Sequence, residues 1–251
     1  MRRIARPPLP PATANALARR QANADAESAA GTLDIERTWK SARRTKPLKT
    51  VHSTLRAMSG RRERCMYCCD SHGTDIEHFW PKADHPDRMF CWPNLLLCCT
   101  ECGRFKGNLL PLRNGRADLV DPTTEDPWQY LDFDPATGVI VARFDLATNA
   151  ESGKGAQTVQ LLQLDRREAL NDGYLKTWRR LVATVDSALQ QEQLDSGELA
   201  TALREADDHG LLGWCFAGTG RSVKPFSTLR TKHSVIWDAC VSLIAFDMQD
   251  E

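Results

Sequence analysis

Cys65-Met-Tyr-Cys68 and Cys99-Thr-Glu-Cys102 are two C-x-x-C pairs thirty residues apart, and between them run Asp75-Ile-Glu77-His78-Phe-Trp-Pro81 and Trp92-Pro-Asn94-Leu-Leu-Leu97. Two such pairs give four thiolates at the spacing of a structural zinc site. An acidic-His pair held beside them has the donors for metal-assisted hydrolysis. Seven of the nine cysteines fall within this segment. An odd number, crowded into C-x-x-C pairs, fits thiols kept reduced for metal rather than a secreted disulfide framework. Cys65, Cys68, Cys99 and Cys102 are therefore the expected zinc ligands. Cys69 and Cys98 leave a register ambiguity, although neither substitute preserves the two-residue spacer. Cys91, Cys215 and Cys240 read as small buried residues.

Outward from this core, 251 residues with 41% hydrophobic and 26% charged side chains describe an ordinary globular protein. The longest apolar runs fall far short of the roughly 20 residues of a membrane span. Met1 to Pro10 is basic without a following apolar stretch, so it is not a secretory leader, and the expected location is the cytoplasm.

Net charge is zero, but it is unevenly placed: residues 1–64 carry 15 Lys and Arg against 5 Asp and Glu. Lys40, Arg43, Arg44, Lys46, Lys49, Arg56, Arg61, Arg62 and Arg64 lead directly into the cysteine segment. A charge run alone is usually a solvated face. Beside a metal motif it suits a phosphate backbone, which releases counterions when neutralised.

The Pro- and Arg-rich first twelve residues read as an extended arm, and the Ala-rich run 13–30 as a helix. Residues 37–64 read as mainly helical around a break at Lys46-Pro47. Two short strands are expected around Pro135-Ala-Thr-Gly138. From Ala156 onward apolar residues recur at helical spacing, with further helices around 196–207 and 226–246. The expected fold is α+β and mainly helical: a basic arm and helices over 1–55, a zinc-stapled core over 56–150, and a helical region over 151–251.

Glu77-His78-x-x-Pro81, Trp92-x-Asn94-Leu and Cys99-x-x-Cys102-Gly-Arg-Phe-Lys106-Gly-Asn108 occur in the order found in HNH, or ββα-metal, endonucleases, and the segment resembles that family over about residues 65–112. The resemblance implies a hairpin carrying Glu77 and His78, followed by a helix. It also implies that His78 acts as general base, Glu77 binds a catalytic Mg²⁺ or Mn²⁺, and Asn94 steadies the loop that aims His78. An imidazole suits the role of base because its unperturbed pKa, about 6.5, lies near working pH. One position departs from the pattern. Gly103 stands where the family carries a His or Asn metal ligand; Asn108 is the first candidate to replace it, with Asp75 and His85 next.

More loosely, residues 108–134 and the Leu161-Leu-Gln-Leu-Asp-Arg-Arg167 helix start resemble the PtuB-like HNH component of Septu-type and retron-associated anti-phage systems. That group implies an effector nuclease working with an ABC/SMC-like ATPase of the PtuA type, with the C-terminal helices as docking surface. DNA is preferred over RNA as substrate. The alternatives are an RNA-cleaving effector that attacks tRNA, or a catalytically degenerate zinc-stapled module that binds nucleic acid without cutting.

Overall fold

The computed structural model describes residues 1–250, so the last residue of the 151–251 region lies outside them. It is α+β and mainly helical, with four separate two-stranded antiparallel pairs. The chain divides into two compact units, one of residues 6–66 and 71–117, the other of residues 1–5, 67–70 and 118–250. The basic helices thus share a unit with residues 71–117, and residues 118–150 share one with the C-terminal helices.

In the first unit, helices α1 (Pro11–Ala29), α2 (Ile35–Ala42) and α3 (Lys46–Met58) precede the site. Proline begins α1 and lies in the first turn of α3, where its missing N–H costs nothing. Lys46-Pro47 therefore starts a helix, and the break falls just before it, over residues 43–45. After α1, Gly31 takes φ +68°, and Thr32 N–H reaches the Glu27 carbonyl at 2.9 Å, a Schellman closure that satisfies the last carbonyls. The Asp34 side chain caps α2 through the Arg37 N–H at 3.0 Å.

Strands β1 (Asp75–His78) and β2 (Leu95–Cys98) then pair, with Glu77 opposite Leu96 and His78 opposite Leu95. β2 is buried throughout, as its Leu-Leu-Leu-Cys run dictates. Helix α4 (Thr100–Lys106) follows, and a hairpin of β3 (Leu112–Arg113) and β4 (Arg116–Ala117) closes the unit.

The second unit opens with β5 (Leu131–Phe133) and β6 (Ile140–Ala142), joined where Gly138 takes φ +80° and the Asp134 carboxylate accepts Ala136 N–H at 2.9 Å. A small hairpin of β7 (Phe144–Asp145) and β8 (Ala150–Glu151) follows. Next come α5 (Gly153–Leu162), α6 (Glu168–Ala188), α7 (Ser196–Ala206), the short α8 (Leu212–Phe216), α9 (Phe226–Lys232) and α10 (Ser234–Asp250). Gly155 is required at the start of α5, because a Cβ there would lie 2.0 Å from the Tyr130 carbonyl oxygen. The arm expected at the N-terminus is extended but not loose: Met1 and Ile4 are buried here.

The core of this unit is aromatic. Trp178 stacks on Phe226 with ring centroids 5.8 Å apart and meets Trp214 edge-on at 5.4 Å, and Trp214 meets Phe133 at 5.1 Å. Phe226 is fully buried among them. Phe226→Ala removes a whole ring from this cluster, so urea unfolding should show a loss of about 3–5 kcal/mol; a loss below about 1 kcal/mol would mean that the cluster does not hold the unit together.

Candidate metal centre and hydrolytic site

The four thiol sulfurs of Cys65, Cys68, Cys99 and Cys102 lie within 4.8 Å of one another, and all four residues are buried. A tetrahedral zinc with Zn–S bonds of about 2.3 Å needs sulfurs about 3.8 Å apart, so the cluster fits that ion with little adjustment. Cys99 is also the N-cap of α4, its sulfur accepting the Cys102 N–H at 3.4 Å. Cys98 sits in β2 with its thiol aimed at the Cys99 carbonyl, 3.3 Å away. Hydrogen bonding with Cys65 and Cys99, and then burial, push its pKa far up, so it stays a neutral thiol. Cys69 is likewise outside the cluster. The register is the one that keeps the two-residue spacers.

The β1–β2 hairpin and α4 present the second set of groups. His78 is buried, with 6% of its surface exposed, and its Nε2 lies 3.0 Å from the Met89 carbonyl. A carbonyl only accepts, so Nε2 carries the proton and Nδ1 keeps the lone pair. The Trp39 ring stands edge-on to the imidazole at 4.3 Å. Burial, only partly opposed by the Met89 hydrogen bond, lowers the His78 pKa from 6.5 to about 3, with Lys82 and Lys106 pushing the same way. The sequence expectation of a pKa near working pH therefore does not hold for the chain alone: the imidazole is neutral but a weak base.

Glu77 is paired with Lys106, whose ammonium lies 2.8 Å from Oε1 and donates to the His78 carbonyl at 2.8 Å. Lys106 is completely buried. Burial raises the Glu77 pKa, and Lys106 and then Lys82 oppose that rise. Lys82 in turn pairs with Glu36 of α2 at 2.7 Å, and Arg43, at the end of α2, pairs with Asp75 of β1 at 2.9 Å. Through Trp39, Glu36 and Arg43, α2 backs the strand that carries Glu77 and His78.

Asn94 ties the loop between the strands. Its Oδ1 accepts Trp80 N–H at 2.7 Å, and its Nδ2 donates to the Trp80 and Arg88 carbonyls, each at 3.0 Å. Gly103 lies on α4 where an added Cβ would be 3.9 Å from both Glu77 Oε2 and Cys98 Sγ, which is ordinary contact. Asn108 lies in the exposed turn after α4, and His85 sits edge-on to Trp80 at 4.8 Å. Among the described residues, the four cysteines are the one group of three or more His, Cys, Asp and Glu side chains gathered at ligand distance. Glu77 is not joined by two further such donors.

Of the basic run, Lys40, Arg43, Arg44, Lys46, Lys49, Arg61 and Arg62 are exposed, while Arg56 is held by Glu63 at 2.6 Å. No helix among the described residues is long and apolar enough to cross a membrane. The roles of Trp39 and Lys82 were not visible in the sequence. Lys106 was visible only as a motif position.

Over 135 residues the chain is 24% identical to the Septu protein PtuB of Bacillus thuringiensis, an alignment that covers 52% of this chain and 48% of that protein. The chain thus spans about half the length of the curated relative it matches. No family model matches it.

Structural zinc contributes folding free energy directly. Cys102→Ser should therefore lose zinc and lower the thermal midpoint sharply; soluble, cooperatively folding Cys102→Ser protein without zinc would show that the cluster is not a staple.

Proposed function

We propose that this chain is a metal-dependent HNH-type endonuclease that hydrolyses nucleic-acid phosphodiester bonds, and that it serves as the effector of a bacterial anti-phage system beside an ATPase of the PtuA type. The observation that carries the nuclease reading is the hairpin–helix frame: the neutral His78, its Nε2 committed to Met89, stands on β1 next to Glu77, and the following helix reaches back through Lys106. The similarity to the Septu protein PtuB supports the defence setting. The exposed apolar residues Val235, Val241 and Leu243 on α10 support the C-terminal region as the docking surface.

In hydrolysis the water oxygen forms the new bond to phosphorus, its proton passes to His78 Nδ1, and the bond to the leaving sugar oxygen breaks, the departing oxygen taking a proton from solvent water. Met89 fixes the tautomer that makes Nδ1 the acceptor. Burial is the larger cause of the lowered His78 pKa, and Lys82 and Lys106 add to it; a bound phosphate opposes the field of the two lysines and raises the proton affinity of the ring by that smaller part. Glu77 would be the residue that holds a divalent cation, which would supply neutralisation of charge on the scissile phosphate. Asn94 positions the loop around His78, and the exposed arginines and lysines of residues 40–62 supply sequence-independent attraction to the backbone.

Backbone hydrolysis uses the same groups on DNA and RNA. The purified chain should be tested on plasmid DNA and total tRNA with Mg²⁺ or Mn²⁺, with and without the partner ATPase. His78→Ala should reduce cutting by at least about 100-fold, the range expected for loss of a positioned base, while zinc content stays unchanged. Cutting that survives the substitution removes His78 as the base. Metal-independent binding with no cutting under any condition favours the degenerate module that Gly103 keeps in view.

A further inference from the structure

Glu77, the carboxylate next to His78 on β1, is already occupied. The Lys106 ammonium, fully buried, sits 2.8 Å from Oε1 and uses a second donor on the His78 carbonyl. Lys82, its side chain largely buried, adds a second positive charge to the field at Glu77. The helix face opposite the other oxygen, Oε2, is Gly103, which has no donor. Among the described residues, Glu77 is not joined by two further His, Cys, Asp or Glu donors at ligand distance.

A buried ammonium cannot leave without exposing an unpaired carboxylate, and a dication brought to the same carboxylate meets two like charges. Such a site gains a divalent ion only when further anionic oxygens arrive with it. We infer that Lys106 is the resident counter-ion of Glu77, and that the chain alone holds no catalytic divalent metal. The ion binds only together with a nucleic-acid phosphate, sharing Glu77 Oε2 while phosphate and water oxygens complete its shell. Lys106 is thus a positioning residue, fixing the Glu77 carboxylate and the His78 backbone at once. This inference rests on the nuclease reading and specifies how that site takes its metal.

Manganese is the probe, followed by electron paramagnetic resonance of the zinc-loaded chain, with Glu77→Gln defining the site-dependent signal. Without nucleic acid, wild type should retain no more Mn²⁺ than Glu77→Gln. With uncleavable phosphorothioate duplex DNA or RNA, wild type should hold one ion more than Glu77→Gln does. Gly103→His places a donor beside Oε2 in space that accepts a Cβ, and should tighten Mn²⁺ binding without nucleic acid by about 10- to 100-fold. Unchanged zinc content would show that this variant folds.

Site-dependent Mn²⁺ on the free wild-type chain, as tight as on Gly103→His, overturns the inference. So does the absence of a Glu77-dependent ion when either nucleic acid is present. Cleavage by wild type lost in His78→Ala stands or falls separately, so a failed inference leaves the nuclease reading identifiable.

Discussion

Four cysteine sulfurs crowded within 4.8 Å in a buried place cannot all ionise unless a cation sits among them, and this constraint organises the rest of the site. Cys99 follows β2 directly and caps α4, and Cys102 lies in the first turn of that helix. Drawing their sulfurs together with Cys65 and Cys68 fixes the angle at which helix follows hairpin. Once that angle is set, Lys106, at the far end of the same helix, falls against Glu77 and the His78 carbonyl. A four-residue strand pair has little stability of its own. The helix staple and the three hydrogen bonds of Asn94 hold it in place.

Within that frame, charge rather than donor count gives the site its character. One carboxylate faces two ammonium groups, and the imidazole between strand and loop is kept neutral by burial. Such a site favours an incoming anion and is poorly prepared for a free divalent cation. Burial is the main cause of the His78 pKa of about 3, and a bound phosphate would offset only the smaller contribution of Lys82 and Lys106. Glycine at position 103 belongs to the same arrangement, leaving space next to Oε2 where a fixed ligand would otherwise stand.

Much of this was legible in the sequence because the signals are local. The C-x-x-C spacing selected the four clustered sulfurs, and Pro135 to Gly138 marked the β5–β6 turn. Apolar periodicity found α6, α7 and the α9–α10 stretch. Pro47 was legible but misplaced: proline fits the first turn of a helix as well as a break, and only the backbone decides between them. What could not be read depended on partners far along the chain. Trp39 meets a histidine 39 residues later, and Glu36 and Lys82 stand 46 positions apart with no pattern between them that announces their ion pair. The lowered His78 pKa could not be read for the same reason, since burial by remote elements is its main cause. The β7–β8 hairpin and α8 are too short for periodicity to register.

The claim on which the account rests is that the thiolate cluster holds the hairpin and helix that carry Glu77, His78 and Lys106. Hydrogen-exchange mass spectrometry of the zinc-loaded chain, before and after the metal is stripped with a chelator, tests it directly. The account predicts strong protection over residues 75–78 and 95–106 with zinc bound, and its loss when zinc is removed. Protection that persists in the stripped chain, or a purified chain that carries no zinc yet shows the same protection, would contradict it.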